Sequence, residues 1–489
     1  MMDVFPSSLR MATAPSPSPQ EAIPLASLSA LRSGLAAGRW TPLDVMEALL
    51  AKLEAHGALR GEDPAVIDVR PVDTLLAEAR ACSAQGDDGR PLWGIPFAVK
   101  GSIDVQGLPT TAACPGLRDA IAPRHAAVVE RLLDAGALVV CTTNLDQLAT
   151  GLVGTRTPYG ACSAVGHPGF ISGGSSSGSA VIVARGDVPF AVATDTAGSG
   201  RVPAALNGIT GYKPSRGLVS ARGLLPACRS LDCISFMAPT VADVARTAPL
   251  AMAEDDDDPW SRAAPPPYVR APDAGPWRIG IVTDEAHRSP DDAATRHAYA
   301  AVLERLADAG HTLVPIDFAP FLAVGKLLYG GTFVAERYGA LGHIVERGQE
   351  GLDPTVASII LAARDLPAHR VFDDQYEVRR WARRVREVWS EIDALALPTT
   401  PTTFTHAQVA RDPIGTNDRL GHYTTFGNLL DLCAVVLRAG AREDGLPFGL
   451  QLLGPASSDF RLLALGEALE TSLAGPCVAS TRGGEAHGG

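Results

Sequence analysis

Two glycine-rich turns carry serines: Gly173-Gly174-Ser175-Ser176-Ser177-Gly178-Ser179 and Thr194-Asp195-Thr196-Ala197-Gly198-Ser199-Gly200-Arg201. Upstream, a lone lysine, Lys100, closes the apolar run Gly94-Ile95-Pro96-Phe97-Ala98-Val99. A lysine at the end of a buried strand loses stability as a cation, so its pKa falls toward neutrality and it becomes a usable base. If that base drew a proton through one serine from another, the second serine would be a nucleophile at neutral pH. The chemistry in view is amide hydrolysis without histidine, metal or cofactor.

Each segment also has a plainer reading. Gly-Gly-Ser-Ser-Ser-Gly-Ser is the composition of a flexible linker. It runs, however, into Ala180-Val181-Ile182-Val183-Ala184, which predicts the start of a buried helix whose first N–H groups are unpaired. Gly174 to Gly178 also fits the G-x-S-x-G elbow of α/β hydrolases, which would make Ser176 the nucleophile. That reading needs a downstream acid and histidine, and no candidate stands out. In the second turn, Phe190 to Ala193 reads as a buried strand, followed by small residues only. Small residues let N–H groups crowd around one point, as an oxyanion hole requires. The alternative is a tight strand-to-helix turn with no chemistry.

Together the three segments resemble the amidase signature family, whose hallmark is a Ser–cis-Ser–Lys triad in a glycine- and serine-rich core. The resemblance implies that Lys100 is the base, Ser175 the bridging serine and Ser199 the nucleophile, 75 and then 24 positions apart. Backbone N–H groups of Thr196, Ala197, Gly198 and Ser199 are expected to form the oxyanion hole. No cofactor or metal is implied. The fold implied is α/β, a large mixed twisted β-sheet core covered by α-helices on both faces. Asp195 is expected to brace the turn; Arg201 is open between a structural role and sensing the substrate.

One branch resembles this chain more closely, the allophanate hydrolases. The resemblance lies in Asn144-Leu145-Asp146-Gln147-Leu148-Ala149-Thr150-Gly151-Leu152-Val153-Gly154-Thr155-Arg156, in Ala197-Gly198-Ser199-Gly200-Arg201-Val202-Pro203, and in Pro226-Ala227-Cys228-Arg229-Ser230-Leu231-Asp232-Cys233. It extends through Tyr329-Gly330-Gly331-Thr332-Phe333-Val334-Ala335-Glu336-Arg337 and Asn417-Asp418-Arg419-Leu420-Gly421-His422-Tyr423-Thr424. It implies that Tyr329 and Arg337 bind a small anionic amide, allophanate, whose terminal amide is cleaved with release of ammonia. A guanidinium holds a carboxylate with two parallel hydrogen bonds. Eight residues on one helix leave the two side chains about 80° apart, so they could converge. Without the resemblance the pair reads as a core tyrosine and a surface arginine. The alternatives are another small amide cleaved by the same chemistry, or a protein that is a catalytically silent member of a complex. The recognition segments fit a glutamine-dependent amidotransferase poorly. Arg438 stands where a smaller or proline-containing turn is expected, which bears on the back of the site.

The elements that must position these groups are legible in outline. Residues 22–56 show helical spacing, with Thr41 as a cap and Pro42 in the first turn. Buried strands are expected at 137–141, 188–193, 278–282, 394–397 and 448–453, alternating with helical patterns, which predicts an α/β fold. Helices are expected to dominate 291–391, and a last helix runs over 459–473. The acidic run 254–258 reads as a solvated loop.

Composition bounds the rest. The 489 residues are 46% apolar, enough for a sizeable core, and the formal charge of −12 gives no footprint for nucleic acid. No run reaches the roughly 18 apolar residues of a membrane span. Eight dispersed cysteines without a C-x-x-C pair suggest reduced thiols in a cytoplasmic protein. The domain organisation expected is a Ser/Pro-rich disordered tail at 1–23, an amidase signature domain at 24–475 and a flexible tail at 476–489. Many members of the branch carry a further C-terminal domain that decarboxylates the first product, and none is expected here. A homodimer is expected, with no nucleic-acid or membrane partner.

Overall fold

Short apolar runs bounded by glycine and proline form the strands of the computed structural model, which describes residues 22–269, 275–288, 290–348 and 350–473. The tails expected at 1–23 and 476–489 lie outside the described residues, apart from Ala22 and Ile23. In chain order the strands are β1 (Val66–Val69), β2 (Pro96–Lys100), β3 (Leu138–Thr143), β4 (Ser163–Ala164), β5 (His167–Ile171), β6 (Ala191–Asp195) and β7 (Thr210–Lys213). They continue with β8 (Cys233–Ala238), β9 (Arg278–Ile281), β10 (Thr312–Pro315), β11 (Ala394–Pro398), β12 (Cys433–Ala441) and β13 (Pro447–Gly454).

Among the described residues β4 and β5 pair with each other, and the other eleven strands build one sheet in the order β1-β3-β2-β6-β8-β7-β12-β13-β11-β9-β10. β2 is parallel to β3 and β6, and β9 is parallel to β10 and β11. The central pairs β6·β8, β7·β8, β7·β12 and β12·β13 are antiparallel, so the sheet is mixed as expected. Every residue of β2, β3, β6, β7, β8 and β11 is buried, which requires cover on both faces. The helix Ser177–Ala184 packs on β2, β6 and β8, while Val241–Ala251 packs on β7 and β8 and Asp459–Leu473 on β12 and β13. Ser177–Ala184 is apolar around its circumference beyond its first turn, the pattern of a helix with no solvent face.

Several expectations shift in detail. The helical spacing over 22–56 resolves into two helices, Leu28–Ala36 and Pro42–Ala55. Thr41 and Asp44 form a reciprocal capping box at the second, with Pro42 in its first turn. β6 begins at Ala191 rather than at residue 188, since Pro189 has no N–H to give a ladder. Within the helical stretch 291–391, the half-exposed edge strand β10 was not anticipated. Nor is the acidic run simply solvated. Asp255 accepts the Ser220 hydroxyl at 2.7 Å and Arg222 Nε at 3.1 Å, and Asp258 accepts the Ala221 N–H at 2.8 Å. The seven cysteines among the described residues are buried thiols. Among the described residues no helix is long and apolar enough to cross a membrane.

Candidate active site

β2 and β6 run parallel and end side by side, so Lys100 and Thr194-Asp195 emerge at the same edge of the sheet. β8 begins at that edge because it is antiparallel to β6, with Cys233 opposite Asp195. The carboxyl ends of neighbouring parallel strands are where α/β sheets gather ligands. The segments leaving β2, β3 and β6 and the segment entering β8 therefore share one volume.

Lys100 is completely buried there. Its Nζ donates to Ser175 Oγ at 2.8 Å and to Thr194 Oγ1 at 2.7 Å. Burial pushes its pKa down to about 7, against the pull of the Asp146, Asp195 and Asp232 carboxylates and with a further push from Arg337. The Gly174–Ser175 peptide is cis. A Cβ on Gly174 would lie 2.1 Å from Asp146 Oδ2 and 2.6 Å from the Gly154 nitrogen, so no other residue fits. Asp146 holds this region from below: its N–H donates to the Ser175 carbonyl at 3.0 Å. Its carboxylate accepts the N–H groups of Gly154 at 2.9 Å and Arg156 at 3.0 Å.

Ser176 spends its hydroxyl on the Thr194 carbonyl at 3.2 Å, and its N–H donates to the Ser199 carbonyl at 3.4 Å. Among the described residues no histidine hydrogen-bonds Ser176, so the elbow reading lacks its base. The same N–H contact joins the two serine turns.

The second turn is shaped by Asp195. Its carboxylate accepts the N–H of Gly198 at 2.9 Å and of Gly200 at 3.1 Å, and Arg201 Nε and Nη2 at 2.9 Å each. Burial would raise this carboxyl, but the Arg201 charge holds it below its ordinary range. Arg201 reaches on to the Thr424 carbonyl and Asn428 Oδ1, and Asn428 Nδ2 donates to the Asp195 carbonyl. The open question about Arg201 is thus decided for structure: its guanidinium is consumed by the turn. One expectation is corrected. The Gly198 N–H is committed to Asp195, so it is not a free oxyanion donor, although φ of +136° explains why glycine stands there. The N–H groups of Thr196, Ala197 and Ser199 have no hydrogen-bond partner among the described residues. Ser199 itself is 3% exposed.

Tyr329 and Arg337 do not share a helix, contrary to the expectation. Tyr329 lies on Leu327–Gly330 and Arg337 on Val334–Glu346, with a break at 331–333. The break is fixed by Asp374, whose Oδ2 accepts the Thr332 N–H at 2.6 Å and hydroxyl at 2.7 Å. The two residues still come within electrostatic range: burial pushes the Tyr329 phenol up, and Arg337 is the charge that most pulls it back. Arg337 is not at the surface. It is 3% exposed, and its Nη1 donates to Thr150 Oγ1 at 2.6 Å and to the Ala149 carbonyl at 3.4 Å. Leu148 and Ala149 adopt φ of +52° and +51°, a left-handed conformation unusual outside glycine. Among the described residues no carboxylate lies within ion-pair distance of Arg337.

Sequence reasoning missed Thr194 as the second partner of Lys100, Thr150 as the anchor of Arg337, and Asp232, whose Oδ1 accepts the Thr196 hydroxyl at 2.5 Å. All three lie in segments singled out for other reasons, and nothing in residue type or spacing marks such pairings. Arg438 is exposed on β12, away from the edge that carries these groups. Among the described residues no three His, Cys, Asp or Glu side chains are grouped to hold a metal ion.

The family model described as Amidase matches residues 47–463. Urea amidolyase of Saccharomyces cerevisiae is 44% identical over 389 residues, 78% of this chain and 21% of that protein. The chain thus spans about a fifth of the length of that relative. A glutamyl-tRNA(Gln) amidotransferase chain of Chloroflexus aurantiacus is 36% identical over 483 residues, 91% of this chain and 96% of that protein. The crystal structure of Kluyveromyces lactis allophanate hydrolase superposes with a TM-score of 0.84 at 38% identity, covering 92% of this chain and 73% of that one.

Proposed function

The chain belongs to the amidase family, and on that premise we propose that it cleaves the terminal amide C–N bond of allophanate with release of ammonia. Allophanate is a small anion with a carboxylate at one end and a primary amide at the other. The observation that carries this reading is Arg337, a buried guanidinium that makes no ion pair with a carboxylate among the described residues and whose charge reaches Lys100, the partner of Ser175. An unpaired buried cation is costly, and a bound carboxylate would supply the missing charge. Arg201, equally buried, is already paired with Asp195 and has no such need. Similarity to urea amidolyase and to allophanate hydrolase supports the same substrate.

Neutral Lys100 takes the proton of Ser175, which takes that of Ser199 as the Ser199 oxygen attacks the terminal amide carbon. The N–H groups of Thr196, Ala197 and Ser199 face the oxyanion of the tetrahedral intermediate. The relay returns a proton to the nitrogen, the C–N bond breaks and ammonia leaves. Water then hydrolyses the acyl-enzyme by the same relay, giving N-carboxycarbamate and free Ser199. Tyr329 and Arg337 orient the far carboxylate throughout.

The test is ammonia release by the purified protein on allophanate, with acetamide, malonamate and urea alongside, for the wild type, Ser199→Ala and Lys100→Ala. Selectivity for allophanate and loss of at least about 10³-fold in each variant are expected. Comparable rates on neutral amides would move the protein to the general amidases, and activity surviving in either variant would sink the triad. A cytoplasmic homodimer belongs to the same proposal; light scattering that returned the mass of one chain would remove the dimer.

A further inference from the structure

We propose that Asp232 is a positioning residue of the hydrolytic reaction, holding Thr196 so that the unpaired N–H groups of the turn 196–199 face the developing oxyanion. This rests on the amide-hydrolysis reading above. Because Cys233 pairs with Asp195 where the β6·β8 ladder begins, Asp232 stands beside the turn that follows β6. Its two oxygens divide their work. Oδ1 accepts the Thr196 hydroxyl at 2.5 Å, while Oδ2 accepts the N–H groups of Ala227 at 2.9 Å and Cys228 at 3.0 Å. The second set locks the carboxylate onto its own loop, which makes the first bond a rigid hold on Thr196.

That loop is anchored in turn. Glu336 accepts the Ser230 N–H at 2.7 Å and the Ser230 hydroxyl at 2.6 Å, and Asn428 Nδ2 donates to the Leu231 carbonyl at 2.9 Å. The oxyanion turn is therefore gripped twice, by Asp195 at Gly198 and Gly200 and by Asp232 at Thr196. What remains unpaired is the set of donors the reaction needs. Among the described residues Asp232 makes no ion pair, yet it is coupled to both ends of the site. Burial raises its carboxyl to about 6 against the Thr196 bond, the two N–H groups and Arg337, and its charge favours the protonated form of Lys100. The charged and titratable groups facing it are Lys100 on β2, Arg337 on the helix Val334–Glu346, and the Cys228 thiol on its own loop, which Glu336 of that helix also meets.

The experiment compares Asp232→Asn, Thr196→Val and the double variant. One readout is ammonia release from allophanate; the other is the rate of Ser199 modification by a fluorophosphonate, which requires the nucleophile and the oxyanion donors but no carboxylate. Each single variant should lower kcat and the labelling rate by about tenfold to a hundredfold, with KM changed by less than about threefold. The double variant should be no slower than the slower of the two single variants, because both changes act on the one Asp232–Thr196 contact. In Asp232→Asn the Lys100 pKa falls further, so the acid limb of kcat/KM should move to lower pH; in Thr196→Val it should not make that shift. Wild-type labelling in Thr196→Val, or multiplicative losses in the double variant, would overturn the proposal. Should Asp232→Asn fail to fold, Thr196→Val decides alone on its labelling rate. A wild type that is labelled but does not turn over allophanate defeats the substrate reading and leaves the Asp232 test intact; a wild type that is not labelled defeats both.

Discussion

Asp195 and Arg201 form a fully buried two-pronged pair, with Arg201 Nε and Nη2 each 2.9 Å from a carboxylate oxygen. The same carboxylate takes the N–H groups of Gly198 and Gly200, so one ion pair fixes the turn that carries Ser199. Six residues apart in sequence, the two close that turn on itself before any substrate arrives.

Breaking one side of this pair should be expensive. Arg201→Ala leaves a buried carboxylate uncompensated, at about 3–5 kcal/mol. Arg201→Lys should recover only part of this, since one ammonium cannot span both oxygens and also reach Asn428 and the Thr424 carbonyl. Urea denaturation measures both, and an Arg201→Ala midpoint equal to wild type would contradict the bracing role.

The pH profile should report Lys100. With its pKa lowered to about 7, the amine is protonated below that pH and cannot take the Ser175 proton. The rate constant kcat/KM should fall about tenfold per unit below the pKa and level off above it. Lys100→Arg, charged at every accessible pH, should be inactive throughout. A flat wild-type profile from about pH 5.5 to 8 would exclude Lys100 as the base at this pKa.

Arg337 should discriminate substrates. Arg337→Ala removes a charge-assisted bond of about 1.5–3 kcal/mol to an anionic substrate, a loss of roughly tenfold to a hundredfold in kcat/KM on allophanate. A neutral amide should lose far less. Thr150→Val, which takes away the nearer of the two acceptors of Arg337 Nη1, should show the same preference in weaker form. Steady-state kinetics on allophanate and acetamide compare them, and equal losses on both substrates would remove the carboxylate role.

Gly174 should tolerate nothing larger. A Cβ there falls 2.1 Å from Asp146 Oδ2, and the surrounding groups are backbone or already bonded. Gly174→Ala is expected to lower the thermal midpoint by about 1–3 °C, as overpacking of about 1–3 kcal/mol would in a chain of this length. An unchanged midpoint in differential scanning calorimetry would mean that the Asp146 loop can retreat.

What the sequence could say about the site it said through local features. Gly-Ser turns and a lysine closing an apolar run are short-range signals, and Thr41-Pro42 announced a helix start in the same way. The helix Ser177–Ala184 was legible because it is apolar on every side beyond its first turn. The eight-residue spacing of Tyr329 and Arg337 misled, because periodicity assumes one uninterrupted helix. Asp374, more than forty positions downstream, captures Thr332 and breaks it. Gly198 misled for a related reason: a small residue suits both a free donor and a bonded one, and only Asp195 distinguishes them.

By itself, then, the sequence determined which groups could react, Lys100, Ser175 and Ser199, and that an α/β sheet would carry them. The tertiary structure decided what those groups are. Strand order in a mixed sheet sets Lys100 beside Ser175 and Thr194, and sets Asp232 beside Thr196. Burial beneath both layers of helices brings the lysine to near-neutral pKa. Residue type fixes a group's chemistry; its proton affinity depends on the solvent it loses and the charges it meets, and those are set by chain segments up to hundreds of positions away.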